Sequence, residues 1–371
     1  MGSSSPKSKS IEKNENIIEE GELGEKDKSY ITTVIQVLYN SKIFQEYFIK
    51  NEYNENPNKY LSILMKKIVT KPLNEIDFIE EGDKVSKLLR TKYDFIVGKT
   101  PGEIIIQILL ILKYEEKEII TNDWEKFVYN KPELFKNISN KENALKDLLK
   151  LNMNHYNTAF SSMFFGIFYA KRKLPRYTEI LYFFNFYCVY EINMPQIYEK
   201  MINKGKIKND DYNLPKIELI DCIKEMQETQ NELFKDENCF SEYYMFSTPN
   251  ILIFLLKSED KNIETPFRGI ITFEENSDFS EVIKNEQSSK YKLISIINKK
   301  RYASKKKDKN DVQWMENAND DEIDEKSIYK AIFRNENDQF CEYGKYNSEN
   351  NCQLEIDDIE YYHEILIFMK Y

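Results

Sequence analysis

Histidine is nearly missing from this chain, with two in 371 residues, His155 and His363. A scarcity of imidazole leaves few candidates for a general base near neutral pH. Cysteine is also sparse. Cys188, Cys222, Cys239, Cys341 and Cys352 include no CxxC pair, so the spacing supports neither a disulfide framework nor a thiolate zinc site, and no metal or cofactor is expected. An odd count behind a start unlike a signal peptide fits a reducing compartment, nucleus or cytoplasm. Long hydrophobic runs are absent as well. Ile104 to Leu112 and Ile251 to Leu256 fall far short of the roughly 20 residues that cross a bilayer, so no membrane association is expected. Glycine and proline occur ten times each, a composition that with abundant Asn, Lys, Ile and Tyr reflects coding bias more than function.

Apolar residues make up 41% of the chain, enough for a sizeable core. The net charge of −10 argues against a general nucleic-acid-binding face. Lys299-Lys300-Arg301 and Lys305-Lys306-Lys307 read as solvated loop charge, so any direct nucleic-acid contact is confined to such local basic loops. Residues 1–27 are polar and cannot bury enough surface to offset chain entropy, which predicts a flexible tail ahead of one domain over 28–371.

At the end of that tail, Lys28 to Asn40 reads as a helix, with Ile31, Val34, Ile35 and Leu38 at i, i+3, i+4 and i+7 and Ser29 as a capping hydroxyl. Helices are also predicted around Tyr60 to Val69 and from Pro101 through Leu112. Beyond about Ser161 the texture turns aromatic and β-branched. Met163 to Tyr169, Tyr182 to Ile192, Pro249 to Leu256, Tyr291 to Ile297 and Glu364 to Met369 read as strands, and Leu214 to Asp221 leads into a helix. Helices first and strands later describe an α+β protein with an antiparallel sheet in its back half.

Five separated segments, in order, resemble boxes of the ubiquitin-specific protease family. Ser29-Tyr30-Ile31-Thr32-Thr33-Val34-Ile35-Gln36-Val37-Leu38, then Phe44-Gln45-Glu46-Tyr47-Phe48, resembles the nucleophile helix, Asn-Thr-Cys-Tyr-Met-Asn-Ser-x-Leu-Gln-x-Leu followed by Phe-Arg-x-Tyr-Phe. Thr100 to Ile105 resembles Asp-Ala-x-Glu-Phe-Leu, and Met163 to Gly166 the Leu-Phe-x-Gly that opens the fingers. Pro249 to Leu256, with Ile270 to Phe273 and Asp278 to Ser280, resembles the Pro-x-x-Leu-Ile-x-x-Leu-Lys-Arg-Phe box and its downstream segments. Tyr291 to Ile297, Tyr302, Trp314 and Ile365 to Phe368 resemble the histidine box, Tyr-x-Leu-x-x-Val-x-x-His, Gly-His-Tyr, Trp-Tyr and Ala-Tyr-x-Leu-Phe-Tyr. The resemblance implies a papain-like α+β fold with a helical thumb over about 28–155, and with reduced, zinc-free fingers and an antiparallel β palm over about 156–371. The fingers would be held by aromatic packing around Tyr182, Phe183, Phe184 and Phe186.

Transferred position by position, the resemblance implies a dismantled site. The nucleophilic cysteine becomes Ser29, the oxyanion asparagine Gly24 and the base Arg301, if Arg301-Tyr302 matches His-Tyr. The orienting position keeps suitable chemistry as Asn319 or Asp320. A serine without a base has a negligible alkoxide fraction at neutral pH, and neither histidine lies near Arg301 in sequence. The expectation is a catalytically inactive protein that binds subunits of a larger complex, spliceosomal, proteasomal or ribosomal, with ubiquitin as a further partner. Arg172-Lys173-Leu174-Pro175 resembles a run in the family's inactive spliceosomal tri-snRNP-associated member. The alternatives are a hydrolase using Ser29 or one of the cysteines with a rearranged base, and an α+β interaction protein outside the family.

Overall fold

The computed structural model describes residues 25–51, 59–93, 100–116, 159–173, 181–208, 215–232, 240–258, 267, 269–283, 289–300, 303–305, 312–314, 329–335, 338–342 and 361–371. The first helix, α1 (Glu25–Tyr39), starts earlier than its apolar stripe predicts. Ser29 therefore lies inside the helix and not at its cap, and Glu25 to Asp27 belong to the helix and not to the expected tail. The predicted stripe is buried, but Thr32, Thr33 and Val37 are buried too. The cause is a two-sided environment. On one side α1 meets α4 (Phe78–Tyr93) and α5 (Pro101–Glu116), and on the other the strands β9 (Lys290–Lys300) and β12 (Tyr329–Arg334).

Around α1 stand α2 (Lys42–Lys50), whose cap Ser41 accepts from the Phe44 N–H, and α3 (Tyr60–Val69). The start of α5 is fixed by Thr100, whose hydroxyl accepts from the Glu103 N–H at 3.2 Å. Close approach needs glycine at two helix contacts. A Cβ on Gly82 of α4 would lie 2.5 Å from Thr32 Oγ1, and one on Gly102 of α5 the same distance from Leu255 Cδ1.

The run Met163 to Tyr169, expected as one strand, is split between a helix and a strand. The short helix α6 (Ala159–Phe164) buries Phe160, Met163 and Phe164 against the thumb, and β1 (Gly166–Lys173) begins after it. An all-apolar run carries no period that separates the two states. The helical layer therefore extends past the predicted thumb limit of 155. In the fingers, β1 lies between β2 (Leu181–Tyr187) and β5 (Phe240–Ser247), antiparallel to both. Phe168 stacks on Tyr187 with ring centroids 4.2 Å apart, and Tyr169 packs on Tyr244 at 4.6 Å. Of the aromatic cluster expected there, the side chains of Tyr182, Phe183 and Phe184 lie outside the described residues, and the Phe186 ring has the Lys113 Nζ 5.7 Å from its centroid.

The palm is a seven-stranded sheet ordered β13 (Phe340–Glu342), β12, β9, β14 (Tyr361–Lys370), β6 (Ile251–Lys257), β3 (Tyr190–Asn193), with β8 (Asn276–Asp278) also paired to β9. Its pairings are antiparallel except β3 with β6. One face, with Ile253, Leu255, Ile297, Ala331, Ile365 and Ile367, packs on the thumb. The other, with Leu252, Phe254, Ile296, Leu366 and Phe368, packs on α7 (Met194–Asn203) and α8 (Leu219–Glu232). The pair β4 (Lys216–Glu218) and β7 (Ile270–Thr272) joins that second layer. Burial on both faces explains the unbroken apolar run of β6. Two short strands, β10 (Ala303–Lys305) and β11 (Val312–Trp314), pair only in a separate two-stranded sheet among the described residues. Lys299 and Lys300, expected as loop charge, close strand β9, and Lys305 closes β10.

Candidate functional site

The palm holds α1 at both ends. Near its start, the ring of Tyr30 meets that of Tyr329 edge-on, with centroids 5.1 Å apart and planes at 86°. Just past its end, the Asn40 amide donates to the Ile294 carbonyl at 3.0 Å and to Ser295 Oγ at 3.1 Å. The helix is thereby laid along β9 and β12, with Ser29 one residue ahead of the tyrosine contact.

Of the other predicted site residues, Gly24, Arg301, Asn319 and Asp320 lie outside the described residues, as do Tyr302 and His155. His363 is buried in β14, directly across from Asn298 of β9, with 2.7 Å between its Nδ1 and Asn298 Oδ1. Sheet register therefore brings it opposite a residue three positions before Arg301, a proximity invisible in the sequence. It faces the wrong way for Ser29. Its ring packs edge-on against Phe273, centroids 5.1 Å apart, and Phe273 belongs to the second core layer, whereas Tyr329 and Ala331 face α1. The sheet itself separates this imidazole from the start of α1.

The described cysteines offer no alternative nucleophile. Cys188, Cys222 and Cys341 are buried thiols. Burial pushes the Cys188 thiol up to about 12 despite the nearby Lys113 ammonium, and burial raises Cys222 as well, so thiolate is negligible near neutral pH. Lys113 is itself buried, its Nζ 4.1 Å from the centroid of the Phe165 ring. Among the described residues no group of three or more His, Cys, Asp or Glu side chains could hold a metal ion, and no helix is long and apolar enough to cross a membrane.

Two buried carboxylates, Glu81 and Glu225, are paired with lysines. Glu81 of α4 meets Lys71 at 2.6 Å and Lys84 at 3.0 Å; burial opposes its ionisation, but the two ammonium groups hold its carboxyl below the ordinary value. Glu225 of α8 is buried beneath Lys200, Lys204 and Lys206 and lowered in the same way. Both clusters tie neighbouring segments of the fold together, Glu81 joining α4 to Lys71 and Glu225 joining α8 to the end of α7. The residue that sequence reasoning missed is Tyr329. Its signal was the alternating run Tyr329 to Arg334, which reads as a strand with as much force as Tyr291 to Ile297.

In the DUB module of yeast SAGA, one chain matches over 93% of the present chain and 67% of its own length, at 12% identity and a TM-score of 0.56. A SAGA DUB module of Ubp8, Sgf11, Sus1 and Sgf73 bound to monoubiquitin gives 11% identity and 0.56, over 93% of this chain and 67% of the other. The fold is that of a ubiquitin-specific protease. A third such module, with a shortened Sgf11, matches over 99% of this chain and 72% of its own at 12% identity and 0.55. No sequence-family model matches the chain, and no curated protein matches it in sequence. At these identities the ubiquitin-specific-protease likeness is one of backbone architecture: thumb helices, three-stranded fingers and palm sheet.

Proposed function

We propose that this chain is a catalytically inactive ubiquitin-specific-protease-like protein that serves as a binding or scaffold subunit of a larger assembly. The observation that carries this reading is the position of His363: the one histidine among the described residues lies on the face of the palm turned away from α1. Ser29, which the family resemblance puts in the place of the cysteine, has no imidazole on its own side among the described residues. Hydroxyl nucleophiles depend on an adjacent base. The buried described thiols weigh against a relocated cysteine.

Retention of the architecture without the chemistry is consistent with recognition. Similar chains occur in assemblies with Sgf11, Sus1 and Sgf73, and in one case with monoubiquitin bound. By that analogy the partners here are protein subunits, with ubiquitin as a ligand, in the nucleus or cytoplasm; the resemblance of Arg172-Lys173-Leu174-Pro175 to a run in the family's spliceosomal member makes the spliceosome the first assembly to test.

The test is incubation of the full chain with a fluorogenic ubiquitin substrate and with a ubiquitin suicide probe. The expected result is neither turnover nor covalent adduct. Turnover that Ser29→Ala abolishes would overturn the proposal. Affinity purification with mass spectrometry then identifies the assembly.

A further inference from the structure

We infer that Lys113 fixes the angle at which the fingers stand on the thumb: its buried ammonium, seated on the rings of Phe165 and Phe186, selects one packing of the two units and adds little to the stability of the whole. The inference goes beyond the proposed function and holds whether or not the chain binds ubiquitin.

Lys113 occupies a place that an apolar residue would fill. It follows Ile105 and Leu109 at steps of four along α5, and both of those are fully buried. Lys113 continues the row at 2% exposure. A well-packed apolar side chain there would avoid taking an ammonium out of water, so a charge in this row is weak support for stability. The best-attested use of such a group is to favour one arrangement of its neighbours over others.

Those neighbours are the attachment points of the first two finger strands. Nζ lies 4.1 Å from the ring centroid of Phe165 and 5.7 Å from that of Phe186, both within cation–π range. Phe165 is the single residue between α6 and β1, and Phe186 is the next-to-last residue of β2. The strand ends are paired there, Gly166 opposite Tyr187 and Ile167 opposite Phe186. They are also pressed together: a Cβ on Gly166 would lie 2.5 Å from Tyr187 Cζ. From Tyr187 the chain passes through Cys188 and Val189 into β3 of the palm, and the Cys188 thiol feels the Lys113 charge. One ammonium of the thumb thus stands where β1 begins and where β2 hands over to the palm.

The two kinds of contact respond differently to a change of angle. Apolar burial is non-directional, so an aliphatic side chain at 113 would tolerate a range of tilts at similar area. An ammonium is attracted to the faces of the rings. Tilting β2 away carries Phe186 off the charge and removes part of what offsets its burial, so the penalty grows with the tilt.

The experiment uses the full chain as wild type, Lys113→Met and Lys113→Arg. Hydrogen exchange is followed by mass spectrometry in peptides from β1 and β2, with β6 and β14 as internal reference, and the urea midpoint is read by circular dichroism. Lys113→Met is expected to speed exchange in β1 and β2 about tenfold, the factor that loss of a desolvated cation–π contact supplies, with β6 and β14 unchanged and the urea midpoint equal to or above that of wild type. Lys113→Arg, which keeps a charge that stacks on aromatic faces, is expected to exchange as wild type. Unchanged exchange in β1 and β2 of Lys113→Met overturns the inference. So does a lowered urea midpoint with faster exchange in all four strands, or a Lys113→Met chain that does not fold, since either would make Lys113 a plain contributor to stability. Lys113→Arg loosening the fingers as Lys113→Met does would also refute it; if the bulkier arginine does not fold, Lys113→Met against wild type decides alone. None of these outcomes bears on whether the chain hydrolyses ubiquitin conjugates, which the substrate test above decides separately.

Discussion

Glu115, near the end of α5, accepts from the backbone N–H groups of Leu61 at 2.7 Å and Ser62 at 2.6 Å, and from the Tyr93 hydroxyl. The residue before α3, Lys59, supplies no side-chain cap, so the first turn of that helix is satisfied from a different helix. Burial raises the Glu115 pKa, and these hydrogen bonds only partly offset it. Glu115→Ala leaves two buried N–H groups and a hydroxyl without acceptors and is expected to cost about 3 kcal/mol in urea unfolding. The pH dependence has a definite sign. A carboxyl whose folded pKa is raised contributes most below its ordinary value, and that contribution falls as pH climbs from the ordinary value through the folded one. Wild-type stability minus that of Glu115→Gln should therefore decline over that window and stay level above it; a rising difference would contradict the assignment.

Between helices, the contact of α1 with α4 depends on Gly82 facing Thr32, whose Oγ1 is buried and makes no hydrogen bond. Gly82→Ala is expected to lower stability by about 1–3 kcal/mol through overpacking. Thr32→Ala removes the obstructing atom without breaking a hydrogen bond, so Gly82→Ala/Thr32→Ala should recover most of the loss in thermal unfolding. Additive losses would show that the close approach is not the cause. Which elements were legible in the sequence follows from similar local detail. The helix from Pro101 was, because Pro101 and Thr100 mark its start. Its last turn was not, because Lys113, Glu115 and Glu116 look like exposed charge yet turn inward, Glu116 accepting from Tyr47 Oη at 3.0 Å and from the Phe160 N–H at 3.2 Å. Periodicity also missed α4, whose Glu80, Glu81, Lys84 and Lys87 dilute its apolar face. In β6 the run Ile251 to Leu256 did announce a central strand.

Across the molecule, one sheet serves two cores. Adjacent residues of β6, Ile253 and Phe254, point into opposite layers, the first toward the thumb and the second toward α7 and α8. Removing either side chain should cost about 3 kcal/mol or more. Because the layers share their strands, each variant is expected to melt in one calorimetric transition, and a resolved second transition would show that the layers fold independently. The candidate site was less legible than this architecture. Sequence order places Arg301 right after the β9 strand, whereas the neighbour of β9 in space is a strand that begins at Tyr329. Pairing partners across a sheet are a long-range property that local pattern does not encode.

The burial of α1 on both sides, with Tyr30 and Asn40 as its two moorings, gives the helix a second employment that outlasts any reaction. A lineage could discard the nucleophile at Ser29 at little cost to the fold, yet could hardly alter Ile31 to Tyr39 without loosening thumb from palm. Selection on the keel and selection on the chemistry are then separable within a single helix.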